Sequence, residues 1–174
     1  NYSPYKIAEV IKSMNALYAN RVDFGIGHSV SGVVPDFALQ ANRKYENDYK
    51  HMEAVEELLH WIDCDFPDDN PFSTIPIMRD QSYYPNLWAM AVSESTAIHA
   101  AKLGLSLACS AFHKPELAIN TLKSYRENYK PARALGSNLK PTDFLTIRLI
   151  VSDTQEEAER LAMPMRYLFH QRRI

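Results

Sequence analysis

The stretch Leu87-Trp88-Ala89-Met90-Ala91-Val92-Ser93-Glu94-Ser95-Thr96, continuing through Ala97 to Leu103, Gly104 and Leu105 to Ser110, decides how this chain is read. An apolar run ends in hydroxyl residues, a small-residue helix follows, glycine stops it, and a second apolar run begins. A helix joining two consecutive strands implies parallel pairing with a right-handed crossover. The junction Ser93 to Thr96 sets hydroxyls, free helix N–H groups and the positive end of a helix dipole at one point. Two readings of that junction are open, a helix N-cap and a seat for phosphate. They are physically compatible.

The same rhythm extends upstream. Ser3-Pro4 supplies a cap and a first-turn proline, and Ile7, Val10, Ile11, Met14 and Leu17 then recur at helical spacing, predicting a helix that ends near Ala19-Asn20. Val22-Asp23-Phe24-Gly25-Ile26-Gly27 reads as a short buried strand whose glycine end lets another group come close. From Asp36 to Ile62 the residues Tyr45, Tyr49, Met52, Val55, Leu58, Leu59 and Ile62 form a helical stripe, in one long helix or two broken ones. Asp63 to Tyr84, rich in Asp, Pro and Ser, reads as a long surface loop.

Downstream, Pro115 to Tyr129 reads as a helix with Leu117, Ala118, Leu122 and Tyr125 on its inner face. Asp143 to Val151 is the fourth expected strand, and Asp153-Thr154-Gln155-Glu156 reads as a capping-box variant opening the last helix. The fold class is therefore α/β, with about four parallel strands alternating with helices. Four such units cannot close an eight-stranded barrel, which needs about 250 residues. The pattern fits either a small open sheet or a piece of a barrel.

At 174 residues, 46% hydrophobic, 23% charged and with a formal net charge of −2, the chain has the composition of one soluble globular domain. Nothing in its charge recruits nucleic acid, since the one basic cluster, Arg166 with Arg172 and Arg173, lies in what reads as a solvated tail. No apolar run approaches the ~20 residues of a membrane span. Cys64 and Cys109 have neither CxxC spacing nor a histidine pattern, which predicts no zinc site or redox pair and a reducing cytoplasmic setting. The acidic run Asp63, Asp65, Asp68, Asp69 and Asn70 lacks the glycine and glutamate of a calcium loop. His51, His60 and His99 lack the zincin spacing, and no metal is expected. His113 follows a strand end, where barrel sites lie.

Three segments together resemble the bacterial luciferase-like superfamily of flavin-dependent monooxygenases. They are Ile7-Ala8-Glu9-Val10 through Leu17 to Gly27; Pro85 to Thr96 with Ala100-Ala101-Lys102-Leu103-Gly104-Leu105; and Val151-Ser152-Asp153-Thr154-Gln155-Glu156-Glu157-Ala158-Glu159-Arg160-Leu161-Ala162. The tract Phe66-Pro67 to Phe72 and the Tyr125-Arg126 helix are similar to a subgroup of small luciferase-like proteins. The resemblance implies a partial TIM (β/α)8 barrel in which this chain supplies the fourth to seventh strands. The first three strands and the eighth would lie outside it, in keeping with a start at Asn1 inside a helix-entry turn.

It further implies reduced FMN as cofactor, with Ser93 and Thr96 on its phosphate and Met90, Ala91 and Val92 lining its ring. His28 stands where many relatives carry an arginine, with Arg43 as a compensating charge, and Gly27 stands where the luciferases proper carry a reactive cysteine. The expected reaction consumes O2 on an organic substrate, with a flavin reductase as possible partner. The alternatives are a non-catalytic flavin-binding or subunit-like protein and a deazaflavin-dependent oxidoreductase. Exposed strand edges in half a barrel predict a homodimer.

Overall fold

The computed structural model describes residues 2–19, 21–27, 51–78, 83–112, 115–131 and 140–171. Four strands, β1 (Asp23–Ile26), β2 (Asn86–Ala91), β3 (Ser106–Ser110) and β4 (Asp143–Thr146), form one sheet in the order β1-β2-β3-β4. Every neighbouring pair is parallel, in the registers Gly25↔Trp88, Met90↔Ala108 and Ser110↔Thr146. Between and around them lie the helices α1 (Pro4–Leu17), α2 (His51–Asp63), α3 (Glu94–Lys102), α4 (Pro115–Asn128) and α5 (Gln155–Gln171). The sheet does not close on itself, and β1 and β4 are its outer strands among the described residues.

Helices cover one face of this sheet. Leu87, Ala89, Ala91, Leu107 and Cys109 alternate onto it and join Ala97, Ala100, Ala101, Ala118 and Tyr125 in one core. The three alanines of α3 are fully buried, and their small side chains let the helix sit close to the sheet and to α4. Gly104 ends α3 with φ 68, and Leu105 and Gly104 donate to the carbonyls of Ala100 and Ala101 at 3.0 and 3.2 Å. That pair of bonds is the Schellman closure the glycine permits.

The opposite face has no helix over it among the described residues. Met90 is 58% exposed there, and Phe144 is 48% exposed. Trp88 and Phe144 meet with ring centroids 4.9 Å apart across β3, roofing its small residues Ser106 and Ala108. The Trp88 indole Nε1 donates to Asp23 Oδ1 at 3.2 Å, tying β2 to β1 on this face.

Several expectations are corrected by packing. The face α1 buries is Ala8, Ile11, Lys12 and Asn15, while Val10, Met14 and Leu17 are exposed. Its two buried polar residues are satisfied by distant carbonyls: Lys12 Nζ donates to Met78 O at 2.8 Å and Asn15 Nδ2 to Tyr83 O at 2.6 Å. On α4 the inner face is Ala118, Thr121 and Tyr125, and Leu117 is exposed. The Asp63 to Tyr84 stretch is not a plain surface loop. Phe66 and Phe72 stack on Trp61 at 4.6 and 5.3 Å, and Asn70 caps a 3-10 turn at Pro71–Thr74.

The fourth strand stops at Thr146, five residues before its expected end. The ladder to β3 ends at the pair Ser110↔Thr146, and Ile147, Leu149, Ile150 and Val151 stand exposed. The last helix is capped one residue later than expected, with Thr154 Oγ1 accepting from Glu157 N at 3.2 Å. Its Leu161, Met163, Met165, Tyr167 and Leu168 are also exposed. His28, Arg43, Tyr45, Tyr49 and His113, with the first part of the expected long helix, lie outside the described residues.

Candidate functional site

Parallel strands gather their carboxyl ends at one rim, where α/β folds place their sites. Gly27 follows β1 at this rim, Ser93 opens α3 just beyond β2, Ala111 and Phe112 follow β3, and Arg148 lies two residues past β4. Ser93 is the N-cap of α3, extended at φ −116 and ψ 150, so its side chain turns back over the first helical turn. Ser93 Oγ accepts from the backbone N–H of Thr96 at 3.4 Å and lies 2.9 Å from Thr96 Oγ1 and 3.2 Å from Ser95 Oγ. Three hydroxyls therefore cluster at one helix N-terminus, with Ser93 and Ser95 exposed and Thr96 half-buried. The capping reading is what this geometry displays directly. The exposed hydroxyls and dipole end remain available to an anion from solvent.

Next to this cluster, the glycines of β1 make room for Met90. A Cβ on Gly27 would come within 3.2 Å of Met90 Cβ, and one on Gly25 within 3.1 Å of Met90 Sδ. Such contacts are tighter than side chains normally adopt. The two glycines thus let the thioether lie down across β1, where it joins Trp88 and Phe144 in an apolar surface on this face. The structure brings together Gly27, Met90, Val92, Ser93 and Thr96. It turns the methyl of Ala91 to the helix side, 1% exposed, so only the backbone of Ala91 reaches the rim.

Reading the sequence alone passes over two features of this face. Arg148 sits 4.4 Å above the ring of Phe112, a cation–π contact at the rim. The Asp23–Trp88 bond joins strands 65 residues apart in sequence. Arg148 continues the alternation Phe144, Thr146 on one strand face, a local signal for its place near the rim, whereas nothing local signals the bond. Cys109 is buried and donates weakly to Ala118 O at 3.9 Å. Burial, with the Asp143 charge adding to it, pushes its thiol up, which keeps it protonated and unreactive. His99 pairs with Glu56 at 3.0 Å and His60 with Asp65 at 2.7 Å, on the helix side. Among the described residues no group of three or more His, Cys, Asp or Glu side chains could hold a metal ion.

The luciferase-like monooxygenase family matches residues 1–173. The chain belongs to the luciferase-like monooxygenases. It is 31% identical over 170 residues to a luciferase-like monooxygenase of Escherichia coli (strain K12), covering 97% of this chain and 48% of that protein. An N-acetyl-S-alkylcysteine monooxygenase of Bacillus subtilis (strain 168) is 29% identical over 164 residues, covering 92% of this chain and 47% of its own. Among solved structures, apo-MsnO8 superposes with a TM-score of 0.75 at 32% identity, over 98% of this chain and 49% of that one. The monooxygenase RslO1 from Streptomyces bottropensis superposes with a TM-score of 0.64 at 16% identity, over 98% of this chain and 53% of its own, a likeness of fold alone. This luciferase-like chain spans about half the length of the curated relatives it matches.

Proposed function

We propose that this chain forms part of a flavin-dependent monooxygenase that uses reduced FMN and O2 on an unidentified organic substrate. The observation that carries the reading is the hydroxyl cluster Ser93, Ser95 and Thr96 at the start of α3, beside the apolar surface where Met90 lies over Gly25 and Gly27. The donor chemistry fits a flavin mononucleotide. Hydroxyls and a helix N-terminus suit its phosphate, and an apolar surface that presents a thioether and an indole suits its ring.

When bound, reduced flavin supplies the oxygen-activating chemistry. The residues here bind and orient. Ser93 and Thr96 would hold the phosphate, with His28 and Arg43 proposed as the added positive charge. Met90 would set the height of the ring above β1, and the backbone of Ala91 with Val92 would bound its edge. Trp88 and Phe144 would keep water from the floor of the site. A flavin reductase is the proposed source of the reduced cofactor. A reducing cytoplasmic setting suits the two free thiols. No helix among the described residues is long and apolar enough to cross a membrane.

Two substitutions at one position test the phosphate reading. Aspartate caps a helix as well as serine does but repels phosphate, whereas alanine removes the cap. We expect Ser93→Asp to keep the unfolding midpoint and to weaken FMN binding by tenfold or more in a fluorescence titration. Ser93→Ala should lower stability by about 1 kcal/mol. Equal FMN affinity in Ser93→Asp and the parent would overturn the assignment. NADH-driven oxygen consumption with added flavin and a reductase then tests turnover.

A second reading, a subunit that does not turn over on its own, is favoured by the open sheet face and the two outer strands. Under it, a second copy covers the apolar face, giving a homodimer. Sedimentation at increasing concentration checks this reading, and a monomer throughout would remove it.

A further inference from the structure

Away from the rim, α1 and the end of α2 bring a buried amine against a thiol. Lys12 is 2% exposed, and its Nζ reaches past the apolar core to lie 3.4 Å from Cys64 Sγ and 2.8 Å from Met78 O. Cys64 follows the last residue of α2 with φ 57, in the left-handed region. Trp61 O also lies 3.7 Å from its thiol, and the residue is half-buried. A nitrogen is thus already in contact with the sulfur of a partly exposed residue. The second cysteine, Cys109, is buried, and its thiol faces the carbonyl of Ala118 at 3.9 Å.

We propose that Cys64 and Lys12 form a reversible covalent link when the protein meets a hydroperoxide. The Cys64 sulfur attacks one peroxide oxygen. The S–O bond forms as the O–O bond breaks, the sulfur is oxidised to a sulfenic acid, and the peroxide is reduced to water or an alcohol. A sulfenic acid condenses with a nearby thiol or nitrogen. Lys12, having released its extra proton to solvent, attacks the sulfur. The N–S bond forms as the S–OH bond breaks, and the hydroxyl leaves as water with one hydrogen from the nitrogen. No further oxidant is consumed. The product joins residues 52 positions apart, stapling α1 to the end of α2. Closing so long a loop constrains the unfolded chain and stabilises the folded one.

The experiment treats the wild-type protein with hydrogen peroxide, caps free thiols, and reads intact mass and a tryptic map. We expect the loss of two hydrogens and a peptide spanning 7–21, uncut at Lys12, joined to the peptide spanning 51–79. Dithiothreitol should undo the link, and the unfolding midpoint should be higher before reduction than after. In Lys12→Gln the link should vanish and Cys64 should carry added oxygen instead. Oxygen adducts or an unmodified thiol at Cys64 in the wild type, without the joined peptide, would overturn the proposal. Because that peptide is read on the wild-type protein, the outcome does not depend on the folding of the variant. Flavin binding is not involved, so failure here leaves the rim assignment untouched.

Discussion

Alternate residues of the same four strands build two faces that differ in what they rest on. On one, Leu107 is 0% exposed beneath α3 and α4, and its neighbours Leu87, Ala89, Ala91 and Cys109 are buried with it. On the other, one residue away in register, Met90, Trp88 and Phe144 form an apolar surface with no helix over it among the described residues. The first face holds the fold together. The second carries the apolar surface around Met90, and its end carries the hydroxyl cluster. Stability and the candidate chemistry are thus assigned to opposite sides of one sheet by the period of two in a strand.

The sharpest way to break that contrast is to truncate one side chain on each face. Leu107→Ala removes a fully buried side chain and should lower stability by about 3 kcal/mol, with the cavity adding to the lost transfer energy. Met90→Ala removes a more exposed one and should change stability by less than about 0.5 kcal/mol. Urea unfolding measures both. If Met90→Ala matched Leu107→Ala, the open face would be buried in solution and the division of labour would fall.

A smaller effect is expected where the covered face is locked at its lower edge. Tyr125, fully buried, shares its one hydroxyl proton between Leu105 O at 2.8 Å and Thr142 O at 3.2 Å, holding β4 beside β3. Tyr125→Phe should cost about 1–2 kcal/mol, since two carbonyls lose a donor. The same site governs alkaline stability. Burial raises the Tyr125 hydroxyl well above the ordinary tyrosine value and pushes Tyr84 up to about 12, with the Asp65 charge adding at Tyr84. A group whose folded value is raised gives stability that is fully present below the unfolded value of 10.0 and is lost as pH climbs through the folded one. Unfolding midpoints should therefore fall as pH rises from 10 toward 12, and less steeply in Tyr84→Phe. A flat profile across that window would mean these rings are wet.

How much of this was legible in the sequence depends on how far apart the partners lie. The β2–α3–β3 unit could be read because its signals are local: an alternating run, a serine cap, three alanines and a stopping glycine all act within a few residues. The buried face of α1 could not, because Lys12 and Asn15 are acceptable inside only once the carbonyls of Met78 and Tyr83 arrive from 66 and 68 residues away. The early end of β4 has the same origin. Residues 147–151 have strand character, yet a ladder requires a neighbour, and β3 offers one only as far as Thr146, opposite its own last residue Ser110. At the rim, the hydroxyl cluster at Ser93 was legible as a cap. Its neighbourhood was not, since the place of Met90 depends on its close approach to two glycines on another strand.

That contact supplies the mildest and most local way to sharpen the comparison. A methyl added at Gly27 meets Met90 Cβ at 3.2 Å, and a Cβ cannot swing aside as the end of a side chain can. Either β1 moves by a few tenths of an ångström or the Met90 side chain leaves the strand. Because this occurs on the open face, little packing is lost, and Gly27→Ala should change unfolding stability by less than about 1 kcal/mol. Met90 should nevertheless be displaced, and FMN binding should weaken several-fold. On the covered face the same displacement would be resisted by α3 and felt as instability. If Gly27→Ala instead destabilises strongly while binding is kept, the roles assigned to the two faces are reversed.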